Sequence, residues 1–314
     1  RMTTRKHIKG RYAPSPTGNL HVGNLRTALL AWLHSRLQGG QFTLRMEDLD
    51  TPRTVPGSAD QILRDLEWLG LDWDGEVVYQ STRQDLYQAA VSSLQEQGLV
   101  YECFCSRKDI RQAISAPHAE TSVYPRTCFG LTSHQLQERR QVKSPSLRID
   151  VGKTKVSFID QCLGQQRENL AAHVGDFIVK RADGLFAYQL AVVVDDMEQG
   201  ISDVVRGADL LGSTARQIYL AQKLSASTQL PNYCHVPLML DQKGARMAKR
   251  DGSDSAGQWR AGGGSAATLV GELAASIGLL PNVEAITAAE LCREMDFHTM
   301  ISALRNDSQH QAKQ

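Results

Sequence analysis

Residues 11–24 read Arg-Tyr-Ala-Pro-Ser-Pro-Thr-Gly-Asn-Leu-His-Val-Gly-Asn, and the fold turns on them. A short strand candidate, Ile8 to Ala13, runs into a Pro-rich loop that cannot continue it. From about Asn24 an amphipathic helix follows, with Leu25, Ala28, Leu29, Trp32 and Leu33 on one face and Gly39-Gly40 ending it. Phe42 to Met46 is the next strand, stopped by Asp48-Leu-Asp-Thr-Pro52. The order strand, loop, helix, strand is a βαβ unit and implies parallel strands. Ligands of such sheets bind at the carboxyl ends of the strands, where a helix N-terminus offers N–H groups to an anion.

Further along, a helix is expected over Ser58 to Leu69. Another opens at Ser81 with Gln84 as a capping box, burying Leu86, Ala90 and Leu94. Short polar strands (Ser146 to Asp150, Lys155 to Ile159) and a cysteine cluster mark an inserted subdomain. Leu190 to Val194 is a buried strand or a buried helix, Val204-Val205 is strand-like, and Ser213 is a candidate cap for a helix through Leu224. Val236 to Leu240 is a strand leading into a polar loop, and short helices follow the Gly-rich Ala261 to Ser265. The expected organisation is an α/β catalytic core in two halves, 1–100 and 171–242. An insertion over 101–170 and a loop with a short helical region over 243–314 complete it.

The 314 residues carry 35 Lys and Arg against 34 Asp and Glu, a net charge of +1, so bulk charge argues for no nucleic acid and any RNA contact rests on local patches. Six cysteines are too few for a disulfide framework at this length. No apolar run approaches the roughly 20 residues of a membrane helix, and no apolar secretory core follows the polar N-terminus. A cytoplasmic protein is the expectation.

A second chemical feature lies far downstream, Gly-Ala-Arg-Met-Ala-Lys-Arg-Asp-Gly over 244–252. Lys249 and Arg246 there are suited to neutralising triphosphate charge during an in-line displacement. His21 is suited to donating to a phosphate and Gly23 to letting a flat base approach the backbone, while Asn24 keeps a polar side chain at the helix start. Arg11 and Arg206, each near the end of a strand, are candidate cations for a carboxylate, and Glu47, ending the second strand, is suited to accepting from an ammonium. Ser15 and Tyr188 add orienting hydrogen bonds.

Together the two motifs resemble the signatures of class I aminoacyl-tRNA synthetases, and the glutamyl branch most of all. Arg45-Met-Glu-Asp-Leu-Asp-Thr-Pro-Arg53, Tyr188-Gln-Leu-Ala-Val-Val-Val-Asp-Asp196 and Val205-Arg-Gly-Ala-Asp-Leu-Leu211 match it collinearly. The resemblance implies a Rossmann-like parallel sheet carrying a zinc-bearing insertion. It also implies glutamate contacts at Arg11, Tyr12, Ala13, Pro14, Ser15, Glu47, Tyr188 and Arg206, with ATP, as its Mg²⁺ complex, at His21, Gly23, Asn24, Arg246 and Lys249. His21 and Lys249 would be the catalytic pair. Both motifs depart from the pattern: the first ends in Asn24 where a second His is usual, and the second begins with Arg246 and has Ala248 where a Ser is usual.

Cys103-Phe-Cys105, Tyr124 and Cys128 supply three thiols and a phenol, and structural zinc takes four tetrahedral ligands. On chemistry alone His118 competes with Tyr124 for the fourth place. Cys-x-Cys followed by Tyr-Pro-x-x-Cys resembles the zinc site of one subgroup, the glutamyl-queuosine tRNA(Asp) synthetases, in which the tyrosine is a ligand. Only 62 residues follow Gly252, which is expected to exclude an anticodon-binding domain. The resemblance then implies transfer of activated glutamate to the queuosine base in the tRNA(Asp) anticodon loop. Alternatives are a shortened glutamyl-tRNA synthetase charging a 3′ end, or a non-catalytic RNA-binding paralogue.

Overall fold

The computed structural model describes residues 7–114, 123–225, 229–240 and 255–313. The strands are β1 (Lys9–Tyr12), β2 (Gln41–Met46), β3 (Val78–Tyr79), β4 (Val100–Cys103), β5 (Ser146–Ile149), β6 (Lys155–Asp160), β7 (Gly164–Asn169), β8 (Phe177–Lys180), β9 (Asp203–Gly207) and β10 (Asn232–Val236). The first helices are α1 (Val22–Arg36), α2 (Ser58–Trp68), α3 (Gln84–Glu96) and α4 (Arg107–Ile114). After them come α5 (Ser133–Val142), α6 (Leu170–His173), α7 (Tyr188–Glu198) and α8 (Leu211–Leu224). Four more close the chain: α9 (Ala256–Ala261), α10 (Ala266–Ala275), α11 (Ala288–Glu294) and α12 (Phe297–Gln311).

The main sheet runs β3-β2-β1-β9-β10-β6-β7, parallel except for the β6–β7 hairpin, and a small antiparallel sheet runs β4-β5-β8. Successive strand residues face opposite layers. Val205, Cys234, Leu44 and Met46 join one core with α1 and the C-terminal helices, while Val204 and Tyr233 join the other with α3, α7 and α8. The α/β class with a mostly parallel sheet is thus observed.

Several details differ from the sequence reading. Helix α1 is buried almost all round, from Leu25 to Ser35 save Thr27, because the sheet covers one side and Leu269, Leu273, Met300 and Leu304 pack in the same core. Ser81 caps nothing; a 3-10 turn precedes α3, and the Ser81 hydroxyl donates to Asp48 at 2.6 Å. Tyr87 and Val91, not Leu86 and Ala90, are buried with Leu94 on α3. Ser213 lies inside α8, where its hydroxyl accepts from Gln189 at 2.9 Å. Leu190 to Val194 is helical, and the strand expected from Val236 ends there instead.

Sheet membership also cuts across the expected boundaries. β6 and β7, within 101–170, extend the main sheet, whereas β8, in the second core half, pairs with β5 of the insertion. Strand pairing is decided by registers between distant segments, which local composition does not encode.

Candidate active site and metal centre

At the carboxyl ends of β1, β2 and β9 lies a cleft of about 340 Å³. It is lined by Arg11, Tyr12, Ala13, Pro14, Ser15, His21, Gly23, Asn24, Glu47, Tyr188 and Arg206, so every described member of the expected amino-acid and nucleotide sites faces one space. Arg246 and Lys249 fall outside the described residues, but the segments flanking them are placed. Leu238 and Met239 line the cleft, and the backbone of Ser255 bridges that of His21.

His21 is the N-cap of α1. Its Nδ1 accepts from Gly23 N–H at 3.1 Å, and Asn24 Oδ1 accepts from the His21 N–H at 3.3 Å. With Nδ1 accepting, the proton of a neutral imidazole sits on Nε2. A Cβ on Gly23 would come within 3.0 Å of the His21 ring, so the glycine also makes room for this cap. The departure at Asn24 is explained locally: its short amide closes the capping box. Gly18, at φ +133°, turns the preceding loop, which Ser58 of α2 clasps through both the Gly18 N–H and C=O.

Two arginines of like sequence context have unlike surroundings. Arg11 donates through Nε and Nη2 to Asp196 at 3.1 and 3.0 Å. Arg45, fully buried, donates to the same carboxylate at 2.8 Å and to Gln199 at 2.7 Å. Burial opposes ionisation of Asp196, yet these two cations outweigh it and hold the carboxyl down at about 2. Arg206, buried as well, donates to the neutral partners His235 (3.1 Å) and Thr214 (2.8 Å), and its Nη1 has no hydrogen-bond partner among the described residues. A buried donor left unsatisfied is costly, and an incoming carboxylate would satisfy it.

Glu47 follows β2, its side chain 9% exposed and 3.6 Å from Arg45. Burial lifts its carboxyl to about 7, against the opposing pull of Arg45 and Arg11. As an ammonium acceptor it must be ionised. Below about pH 7 a bound ammonium has to displace a proton, so glutamate affinity should weaken about tenfold per pH unit. Glutamate KM measured from pH 5.5 to 8 is expected to rise on the acid side and to flatten in Glu47→Gln, at a higher level. A wild-type KM that does not change over this range removes Glu47 from that role.

Asp195, Asp196, Arg45, Asp160, Thr214 and His235 were not singled out from sequence as site residues. One signal was there: Arg45 stands between Leu44 and Met46 in the strand, and a charge so placed has to be paired.

In the insertion the sulfurs of Cys103, Cys105 and Cys128 lie within 4.8 Å of one another, Cys105 and Cys128 at 3.6 Å. Tyr124 Oη is 3.3 Å from Cys103 Sγ and 3.7 Å from Cys105 Sγ. A tetrahedral centre with metal–sulfur bonds of about 2.3 Å has edges of about 3.8 Å, so the donor set fits a soft four-coordinate ion. Arg148 donates to Cys103 Sγ at 3.2 Å and lies over the Tyr124 ring, offsetting thiolate charge. His118 lies outside the described residues.

A parallel sheet with its cleft at the strand ends, a capped helix opening onto it and a cysteine-bearing insertion define a class I synthetase catalytic domain. The chain belongs to the family described as tRNA synthetases class I (E and Q), catalytic domain, which it matches over residues 7–308. It is 49% identical to a Glutamyl-Q tRNA(Asp) synthetase of Nocardia farcinica, over 87% of this chain and 85% of that one. The identity to that of Symbiobacterium thermophilum is 46%, over 91% and 92%. Among solved structures it resembles the glutamate–tRNA synthetase of Elizabethkingia anophelis (TM-score 0.81, 25% identity), covering 94% of this chain and 66% of that longer one.

Proposed function

We propose that the protein activates glutamate with ATP and transfers it to the queuosine base in the anticodon of tRNA(Asp). The similarity to enzymes of that name over most of both chains supports the reading. The single observation that carries the amino-acid half is Arg206, a buried cation whose Nη1 has no partner among the described residues, in the cleft that also holds Glu47. One end of the cleft thus suits a carboxylate and another an ammonium.

In the first step the glutamate α-carboxylate attacks the α-phosphorus of ATP, and pyrophosphate leaves. His21 donates from Nε2 to the phosphate, the α1 N-terminus contributes its dipole, and Lys249 neutralises charge on the leaving group. Mg²⁺ bound with ATP would offset phosphate charge. In the second step a hydroxyl of the queuosine cyclopentene-diol attacks the mixed anhydride and AMP leaves. No protein nucleophile is needed, since the adenylate is already activated. The bases of a single-stranded loop are accessible to such a cleft once unstacked.

The test is glutamate-dependent ATP–pyrophosphate exchange without tRNA, followed by transfer to tRNA(Asp) with and without queuosine and to tRNA(Glu). Transfer only to the queuosine-bearing RNA is expected. Acceptance by tRNA(Glu) alone would establish a shortened glutamyl-tRNA synthetase in its place.

Zinc is the ion we assign to Cys103, Cys105, Tyr124 and Cys128, where it would tie the start of the insertion to the segment at Tyr124 and Cys128 in a small apolar core. Cys103→Ser is expected to lower bound zinc well below one per chain and to reduce the melting temperature. An unchanged zinc content by elemental analysis would overturn the ligand assignment.

A further inference from the structure

Behind Arg206 stands a buried relay, whereas Arg11 contacts the Asp196 carboxylate directly. His235 Nε2 takes the Arg206 Nε–H at 3.1 Å, and His235 Nδ1 lies 2.6 Å from Asp160 Oδ2. Asp160 Oδ1 accepts the N–H groups of Cys162 and Leu163, each at 2.9 Å, and both oxygens accept the His235 N–H. An ionised carboxylate only accepts, so Nδ1 must carry the imidazole proton. The Nε2 lone pair faces the guanidinium N–H and the Thr214 hydroxyl, 3.0 Å away, which itself accepts from Arg206. Sheet register creates the arrangement. His235 is the direct partner of Arg206 across β9 and β10, and Asp160 pairs with Tyr233 one strand further on.

The protonation states agree. Burial works against the Asp160 charge, but the His235 hydrogen bond holds its carboxyl below the usual range. Burial and the Arg206 charge hold the His235 imidazole below its ordinary value. The buried cation is therefore balanced by a carboxylate two groups away rather than by one in contact. A carboxylate bonded directly to Arg206 would compete with the substrate's. A neutral imidazole between them leaves Nη1 unoccupied.

We propose that Asp160 and His235 are positioning residues for the anion subsite, orienting Arg206 so that Nη1 stays available to the carboxylate of an acidic amino acid. The proposal rests on reading the cleft as a glutamate site. Three variants test it. Asp160→Asn places an N–H opposite Nδ1, so the imidazole changes tautomer and presents Nε2–H to a cation. The glutamate KM in exchange should rise about 10- to 100-fold, with kcat and the ATP KM within about threefold. His235→Ala should do the same, and His235→Gln, whose amide oxygen can replace Nε2 as acceptor, should recover most of the affinity.

Imidazole ¹⁵N shifts give a readout independent of activity: Nδ1 protonated in the wild type, Nε2 protonated in Asp160→Asn. Glutamate KM values near wild type in both Asp160→Asn and His235→Ala would overturn the proposal, as would equal losses for glutamate and ATP or no rescue by glutamine. If the wild-type enzyme shows no exchange with glutamate, the functional reading fails with the subsite role built on it. The ¹⁵N spectra then still report whether the relay itself exists.

Discussion

Arg206→Ala should raise the glutamate KM of the exchange reaction by about 10²- to 10³-fold while leaving the ATP KM within a few-fold. The magnitude follows from what is removed. Arg206 has no carboxylate in contact among the described residues, so its charge is available to the substrate in a site shielded from water. A charge-assisted pair of that kind costs about 3–4 kcal/mol when one partner is truncated. Arg11→Ala is a useful contrast. Its guanidinium is held by Asp196, so its loss also leaves that buried carboxylate with Arg45 as its remaining partner, and a fall in melting temperature should accompany the change in KM. If Arg206→Ala binds glutamate as the wild type does, the carboxylate lies elsewhere in the cleft.

Lys249→Ala should lower kcat for exchange by about 10²- to 10³-fold, the usual loss when one preorganised group facing developing charge is removed. Charge accumulates on pyrophosphate as the P–O bond breaks, and an ammonium at that point acts on the transition state more than on bound ATP. The ATP KM should therefore change much less than kcat, and the melting temperature hardly at all. Described residues on both sides of the 241–254 stretch lie at the cleft, Met239 in its wall and Ser255 bridging His21. Steady-state exchange with a matched melting curve decides it. Activity near wild type would mean that another cation serves the leaving group.

Much of the candidate site was legible because its residues lie where regular structure ends. Arg11, Glu47 and Arg206 each fall at or next to the carboxyl end of a strand, and His21 stands just before a helical run. Local patterning put each at a strand or helix end, while their grouping into one site came from the family resemblance. The cysteines were legible from spacing and chemistry, and the sulfurs do converge. Less visible was the polar layer behind the cleft. Asp195 receives hydrogen bonds from Gln80, Arg83 and Tyr87, residues more than a hundred positions away. Nothing local to the Asp195-Asp196 pair distinguishes it from a solvated end of α7. The role of the C-terminal helices was equally hidden, since their packing on α1 joins segments far apart in the chain.

The amino-acid sequence by itself determined the α/β class, the order of strands and helices around the two motifs, and which side chains carry charge at the ends of strands. Tertiary structure alone decided that β6–β7 joins the main sheet while β8 leaves it, and that Arg11 is neutralised by contact while Arg206 is not. The reason is physical: propensity and periodicity act over a few neighbouring residues. Strand register and the pairing of buried charges are settled between segments far apart in the chain, where a neighbouring strand, not a neighbouring residue, supplies the partner.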